Sequence, residues 1–455
     1  MMDIDTAVPR ARAFRAFAPE MFIATAAFGI LLIVSLVWTR PAGVGPVLFA
    51  QLLLGVTVVI VACRLAGRAA VWLGQPRVIG EIAAGIAIGP SLLGQLWPGA
   101  VDALFPDQVR SPMNWVAHLG MVLFLFLAGM EIDPKLLRRS GRFTTSVSQV
   151  GFLFPLLLGM LFAVLAYPYL APPGVQLLPF ALLVGAAMSV TALPVLVVIL
   201  RGSPLRGTAL AAIAVTAATI ADVQAWILLA LVAGLVGGFA GGVLPVVGLT
   251  VALMAGLMLV RPWLRALLTS QAIPLLIRVV ILTGCAVAFA ELAALAGMHA
   301  AIGAFVFGLL VPRVGGVAEG SIRLLGPAAA VLLMPLFFAG SGMATDLTKL
   351  GAAGALWGWF AVALALALVG KYGGVAFASR AAGASWPNSA RLGALLNCRG
   401  MTELVVLGIG RDLGLLAPEL FTILVLTAFV CTAMTWPALA AVDRFSLSDP
   451  VASPR

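Results

Sequence analysis

Fourteen apolar segments of helix length run through the 455-residue chain, and they constrain its fold more than any other feature. A bilayer core about 30 Å thick needs about 20 consecutive apolar residues from an α-helix. Since only helices and closed barrels satisfy their backbone groups in lipid, these segments predict an all-α polytopic membrane protein. The predicted segments are 21–38, 46–66, 78–97, 113–130, 144–168, 177–200, 208–235, 240–260, 273–296, 298–312, 325–343, 353–379, 389–410 and 418–441.

The few charged residues, 10% of the chain, concentrate between these segments. If the N-terminus is cytoplasmic, 21 of the 27 Lys and Arg residues fall on the cytoplasmic side and four on the other side. This bias is the one that orients membrane proteins. It predicts a multi-pass protein of the cell membrane with cytoplasmic tails at 1–20 and 442–455. The net charge of +10 therefore reflects orientation, and no nucleic-acid partner is expected.

The motif content argues against an enzyme, a cofactor or a resident metal. The four cysteines lie scattered in apolar stretches, with neither metal-ligand spacing nor a disulfide framework. The sequence contains no His-Glu-x-x-His, no Gly-x-Ser-x-Gly and no paired intramembrane aspartates, which are signatures of hydrolysis. A transporter or channel is therefore favoured.

Asp222 is the only ionisable residue in the apolar run from about residue 209 to 235. A carboxylate near the bilayer centre costs about 2.5–3.5 kcal/mol by insertion scales, and such residues usually face a cavity or a partner. An aspartate is too short to reach the membrane surface from the middle of a helix. We therefore expect Asp222 to bind an ion or a proton.

Two of the segments carry residues that interrupt helices: Ser189, Thr191, Pro194, Asn397, Arg399 and Gly400. Proline removes a backbone donor and glycine adds conformational freedom. Freed carbonyls and helix-end dipoles at such a break can hold a cation, and the oxygens of Ser189, Thr191 and Asn397 can add ligands. The alternative is an ordinary proline kink stabilised by Ser and Thr back-bonding.

Two pairs of stretches resemble each other: 185–196 with 393–407, and 126–133 with 340–346. In the topology given by the loop charges, the members of each pair cross the membrane in opposite directions. Inverted repeats of this kind mark secondary transporters whose site lies at the membrane midplane. Chance similarity among apolar segments is the alternative. The predicted units are repeat 1 at about 46–235, a linker helix at 240–260 and repeat 2 at about 273–441.

Seven ionisable groups fall at or near membrane depth: Glu81, His118, Asp222, Glu291, Lys371, Arg399 and Glu403. A buried lysine without a partner would lose its proton, so we expect Lys371 to pair with Asp222 until a cation displaces it. Snorkelling of Lys371 to an interface is the alternative. Arg399 and Glu403, four residues apart, would share a helix face and either neutralise one another or take part in ion binding. Glu81 is expected to be structural or interfacial.

Several stretches resemble the monovalent cation:proton antiporters of the second subgroup. The run from Gln75 to Gly94, QPRVIGEIAAGIAIGPSLLG, is similar to that family's first core-helix signature. The stretches 297–305 and 335–342 match later core helices. The run LGALLNCRGMTEL at 392–404 looks most like the branch that contains plant cation/proton exchangers. The resemblance covers about 46–441.

This resemblance implies thirteen core helices, arranged as six, a linker and six, so that the helix at 21–38 is additional. It implies the sodium/proton antiporter fold, with two crossed discontinuous helices in a mobile ion-carrying domain, and a homodimer in the lipid bilayer. By position, Asp222 matches the family's essential aspartate and Lys371 its basic partner. The chain departs from the family at Ala221, where relatives have Asp or Asn, and this bears on stoichiometry and on the ion carried.

We interpret the chain as an electroneutral antiporter that exchanges K⁺ or Na⁺ for H⁺ by alternating access. One carboxylate, Asp222, can release one proton as it accepts one monovalent cation. A proton-coupled efflux antiporter for an organic cation is the first alternative, because Ala221 would leave room for a larger substrate. An uncoupled channel or sensor on the same fold is the second.

Overall fold

The computed structural model describes residues 46–131, 141–236, 243–270, 272–295, 300–312, 314, 316–329, 333–351 and 354–447. Within these ranges the regular structure is helical, with no strand. The predicted tail at 1–20 and the additional helix at 21–38 lie outside the described residues. So do residues 132 and 133 of the 126–133 stretch.

The helices before residue 237 are α1 Pro46–Trp72, α2 Arg77–Ile88, α3 Leu93–Leu96, α4 Pro98–Leu104, α5 Asp107–Glu131, α6 Arg142–Leu170, α7 Leu177–Ser189, α8 Leu193–Gly202 and α9 Ala209–Val236. Those that follow are α10 Val243–Thr269, α11 Leu275–Leu295, α12 Ala300–Leu310, α13 Val317–Ala328, α14 Met334–Met343, α15 Thr348–Gly351, α16 Gly354–Leu368, α17 Gly374–Ala381, α18 Trp386–Leu396, α19 Met401–Asp412 and α20 Pro418–Leu447. A π-helical turn, Val369–Gly373, joins α16 to α17.

Among the described residues, eight helices are long and apolar enough to cross a membrane. Helices α18 and α19 form a further span that is bent by 42° at a short break. The predicted all-α polytopic class is confirmed, whereas the number of fourteen spans stays a prediction. The segment predicted at 325–343 is divided between α13 and α14, with Pro335 in the first turn of α14, where a missing N–H is tolerated. Helix α20 continues to Leu447, beyond the predicted end at 441.

The long helices pack into two bundles. The scaffold bundle consists of α1, α2, α5, α11, α12 and α14, and the site bundle consists of α6, α7, α8, α9 and α16 to α20. Helix α10 packs against α9 on one side and against α11 and α12 on the other, so it bridges the two. Contacts between the bundles run mainly from α2 to α20 and from α14 to α19.

Inside the scaffold bundle, α2 and α14 approach closely because glycines face each other's backbone. A methyl group on Gly85 would lie 2.4 Å from the carbonyl oxygen of Ala339, and one on Gly342 would lie 2.5 Å from that of Ile82. Small residues at helix interfaces permit such approach in membranes, where van der Waals packing drives association.

We therefore expect Gly85→Ala to destabilise the protein by about 1–3 kcal/mol, the usual cost of overpacking. Thermal unfolding in detergent measures the loss. The control is Gly284→Ala in α11, where an added methyl would meet nothing within 4 Å and alanine favours the helix. Equal melting temperatures for the two variants would contradict the close packing of α2 on α14.

Candidate functional site

The first predicted break is a true interruption of the helix. Helix α7 ends at Ser189, the chain is extended at Val190 and Ala192, and α8 begins at Leu193. Pro194 lies in the first turn of α8, so its missing N–H interrupts no helical hydrogen bond. The hydroxyl of Ser189 donates locally to the carbonyl of Ala186, at 2.9 Å.

The second break separates α18 from α19 at Asn397–Gly400. Gly400 has a φ of 148°, a conformation that side chains other than glycine rarely adopt. The glycine therefore permits the chain to leave α18 and enter α19 at a different angle.

The two breaks cross and share hydrogen bonds. The backbone N–H of Ala192 donates to the carbonyl of Cys398 at 3.0 Å. The hydroxyl of Thr191 donates to the carbonyl of Leu396 at 2.9 Å. Each interrupted segment thus supplies partners for backbone groups that a membrane would otherwise leave unpaired. The predicted pair of crossed discontinuous helices is confirmed.

Lys371 reaches this crossing from the π-helical turn and is 1% exposed. Its ammonium donates to the carbonyl of Gly151 at 2.8 Å and to the carbonyl of Ser189. The expected direct ion pair with Asp222 does not form in this structure, because backbone carbonyls take the ammonium instead. Lys371 nevertheless lies close enough for its charge to act on Asp222.

Arg399 is fully buried and caps the same end of α7. Its guanidinium donates to the carbonyls of Ala187 at 3.2 Å and Met188 at 2.6 Å, and it forms an ion pair with Glu403 at 3.3 Å. Arg399 and Lys371 together donate hydrogen bonds to three consecutive carbonyls, those of residues 187 to 189, at the negative end of the helix dipole. The predicted neighbours Arg399 and Glu403 do contact each other, although Arg399 lies in the break before α19 begins.

Asp222 is 7% exposed in the middle of α9, which packs against α6, α7, α8 and α18. Thr402 and Lys371 lie near its carboxylate. One carboxylate oxygen, Oδ1, is buried without a hydrogen-bond partner among the residues that the structure describes. An unpaired buried acceptor is unfavourable, so this oxygen is ready to take a proton or a cation.

Two of the other buried oxygens that lack a partner in the described part of the chain lie at or just after the second break: Oδ1 of Asn397 and Oε2 of Glu403. The amide nitrogen of Asn397 donates to the carbonyl of Cys431 at 3.3 Å, which fixes the side chain. Oxygen donors of these kinds suit hard cations.

The other predicted residues lie elsewhere. Glu81 is buried on α2 of the scaffold bundle. His118 and Glu291 line a cavity of about 840 Å³ that lies between the bundles, together with Ser341 and Arg411. We call it the interbundle cavity.

Sequence reasoning missed Thr402, Thr432 and Gly151. The hydroxyl of Thr432 accepts from the backbone N–H of Arg399 at 2.8 Å and donates to its carbonyl at 2.6 Å. Threonines are common in apolar helices, and a backbone carbonyl of glycine cannot be recognised from a side chain. Of the three residues, only Thr402 could have been found from the sequence, because it is next to Glu403.

The protein family described as "Sodium/hydrogen exchanger, transmembrane" matches residues 55–440 of the chain. These residues include both breaks, Asp222 and Lys371. The chain belongs to the sodium/hydrogen exchanger family. It is 32% identical over 402 residues to the Na⁺/H⁺ antiporter NhaS4 of Synechocystis sp., covering 86% of this chain and 97% of that protein.

Some of the similar proteins are longer than this chain. Cation/H⁺ antiporter 17 of Arabidopsis thaliana is 34% identical over 402 residues, which is 86% of this chain but 48% of that protein. The chain thus spans about half the length of this plant relative. The solved structure of the sodium proton antiporter MjNhaP1 of Methanocaldococcus jannaschii matches with a TM-score of 0.60 at 15% identity, covering 88% of this chain and 99% of that one. That likeness confirms the antiporter fold.

Proposed function

We propose that this protein exchanges a monovalent cation, K⁺ or Na⁺, for H⁺, with Asp222 as the site for which the two ions compete. The single observation that carries the proposal is the unpartnered carboxylate oxygen of Asp222, buried in the site bundle that holds the two crossed breaks. Relatives are named as antiporters for Na⁺, K⁺ or cations and H⁺, which supports the same ions here.

The exchange step follows from the charge of Asp222. A cation binds the carboxylate only after its proton has left, so loading one ion releases the other. Asn397 and Glu403 offer further unpartnered oxygens, and the hydroxyl of Thr191 keeps an acceptor lone pair while it donates to Leu396. The carbonyl of Ser189 holds Lys371 near the site.

The charges of four buried residues near the site balance one another. Lys371 and Arg399 are positive, whereas ionised Asp222 and Glu403 are negative, so the four sum to zero. A bound cation adds one positive charge, so cation binding favours the ionised form of Asp222 over its protonated form. We assign Arg399 to holding Glu403 and the end of α7, and Glu81 to a supporting charge in the scaffold bundle.

We further propose a homodimer in the cell membrane with cytoplasmic termini. The bias of Lys and Arg toward one side supports this orientation. The resemblance to the antiporter family supports the homodimer, repeats at 46–235 and 273–441, and the linker at 240–260.

Flux measurements on purified protein in liposomes test the function. K⁺, Na⁺ and a panel of organic cations are each added outside vesicles that carry a pH gradient, and proton release is followed with an interior dye. Proton movement driven by alkali cations is the expected result. Movement driven only by organic cations, or conductance without coupling, would overturn the proposal.

We expect one cation exchanged per proton, with no net charge moved. Asp222 alone can carry one of either ion, and Ala221 supplies no second group. A pH step at fixed cation concentration, applied to the protein on a solid-supported membrane, should therefore give no transport current. Each net charge would otherwise couple to the membrane potential at about 2.3 kcal/mol per 100 mV. A current whose sign follows the proton gradient would reject the scheme, and its loss in Glu403→Gln or Lys371→Met would identify the second proton carrier.

A further inference from the structure

Pro437 leaves one carbonyl of α20 without its helical donor. A proline within a helix has no N–H, so the carbonyl four residues earlier, that of Ala433, receives no intrahelical hydrogen bond. The side-chain amide of Gln75 donates to this oxygen at 3.2 Å. Gln75 precedes α2 of the scaffold bundle, whereas Ala433 belongs to the site bundle, so the bond joins the two bundles.

The backbone holds Gln75 in a rigid turn. Helix α1 ends at Trp72 and is followed by Gly74 at a φ of 75°, and the N–H groups of Gly74 and Gln75 donate to the carbonyls of Val71 and Ala70, at 3.0 and 2.7 Å. This is the pattern of a Schellman cap. The next residue, Pro76, leads directly into α2. A methyl group on Gly74 would lie 3.7 Å from the indole nitrogen of Trp436, which adjoins Pro437. The amide is therefore presented to α20 by a fixed platform.

The acceptor lies next to residues that hold the second break. Cys431 accepts the amide of Asn397 through its carbonyl, and Thr432 holds the backbone of Arg399 through its hydroxyl. Ala433 is the following residue. The hydrogen bond from Gln75 thus ends directly on the part of α20 that positions the crossing.

The interbundle cavity opens at the other end of the same helices. It is lined by Ile88 at the end of α2 and by Phe421 near the start of α20. At a rise of 1.5 Å per residue, the contact of Gln75 lies roughly 16–18 Å from these positions along either helix. A hydrogen bond from a side chain therefore joins the bundles on the Gln75 side, whereas a cavity lies between them on the other side, where the backbone N–H of Asp346 donates to the hydroxyl of Thr422 at 3.2 Å.

We infer that Gln75 is a positioning residue that holds the two bundles closed on the side opposite the interbundle cavity. Alternating access requires that one side of the site be closed while the other is open. This inference therefore rests on the proposed cation/proton exchange. Opening of the site toward the Gln75 side requires this amide to release the carbonyl of Ala433. The oxygen Oε1 of Gln75 is buried without a partner among the described residues, so the amide is held by its single donated bond.

Thiol labelling in detergent tests this inference without ion gradients. Val78→Cys reports on the Gln75 side, because Val78 is 8% exposed and lies near Gly400, and Ser341→Cys reports on the cavity. Each is combined with Gln75→Leu, and the parent protein with its four native cysteines supplies the background. The control is Gln95→Leu, the same chemical change at an exposed position.

Gln75→Leu should raise the labelling rate at position 78 about fivefold and lower that at position 341. This change corresponds to losing one hydrogen bond of ordinary net strength. A general loosening of the fold would instead raise both rates. The inference is overturned if both rates rise, if neither changes, or if Gln95→Leu has the same effect.

Pro437→Ala supplies a second route, because it restores the N–H that Ala433 lacks, and this donor then competes with the amide of Gln75 for the carbonyl. It should shift the two labelling rates in the same directions as Gln75→Leu. The double variant should shift them no further, since both changes act on one bond. Additive shifts would show that Ala433 is not the acceptor that matters. Because labelling needs no flux, these results stand apart from the outcome of the transport assay.

Discussion

Asp222→Asn is expected to reduce cation-driven proton movement to the rate of empty liposomes. Asparagine keeps the shape of the side chain and can still face the hydroxyl of Thr402, but it neither titrates nor carries charge. Asp222 is the only carboxylate of α9, and its free oxygen is the group that the proposal assigns to both ions. Proton release from reconstituted vesicles on addition of K⁺ or Na⁺ measures the effect.

The same variant should fold and insert normally. An ionised carboxylate with an unpartnered oxygen is costly to bury, so a neutral amide should leave the melting temperature unchanged or raise it. Asp107→Asn provides the matched control, because the side chain of Asp107 is 96% exposed at the start of α5. That control should retain full exchange. Undiminished exchange by Asp222→Asn would refute Asp222 as the shared site.

Arg399→Met is expected to produce the largest loss of stability, about 3–5 kcal/mol. The fully buried guanidinium donates to two carbonyls of α7 and pairs with Glu403, so its removal leaves a buried carboxylate without a counter-charge and two carbonyls without donors. The midpoint of thermal or denaturant unfolding in detergent measures this loss.

Glu403→Gln in the same chain should recover much of that stability, because the uncompensated charge disappears. A matched control is Arg391→Met on the adjoining helix α18, whose ion pair with Asp443 is partly exposed. Pairs of that kind contribute only about 0–1 kcal/mol. If the double variant were no more stable than Arg399→Met, the charge of Glu403 would not be what Arg399 compensates.

The two breaks were predictable because their causes are local. Pro194 and Gly400 affect the backbone directly, and polar residues in an otherwise apolar segment mark the same places. Asp222 was predictable for a similar reason, since it is the sole charge in its segment. These signals need no knowledge of which helices are neighbours.

The partner of Lys371 could not be read from the sequence. Charge balance predicted Asp222, but the ammonium donates to the carbonyls of Gly151 and Ser189, and backbone acceptors occur at every residue. Only the arrangement of α6, α7 and the π-helical turn selects these two. The same limit explains why Thr432 was missed.

The assignment of helices to bundles was equally hidden. Glu81 and Asp222 are both acidic residues in apolar segments, yet one lies in the scaffold bundle and the other in the site bundle. Most of the long helices are apolar on all faces, so periodicity does not indicate what each contacts. The family resemblance, and not the residues alone, implied that separation.

The hydrogen bonds between the two breaks have a consequence for biosynthesis. Ala192 and Cys398 are 206 residues apart, so the first interrupted helix is made long before its partner. At ordinary rates of translation, roughly 10–40 s separate the synthesis of the two residues. During that interval the backbone at Ala192 lacks its final acceptor, and an unsatisfied group in lipid costs several kcal/mol. The first half of the nascent chain must therefore keep this stretch in contact with water or with the insertion machinery until the second half arrives.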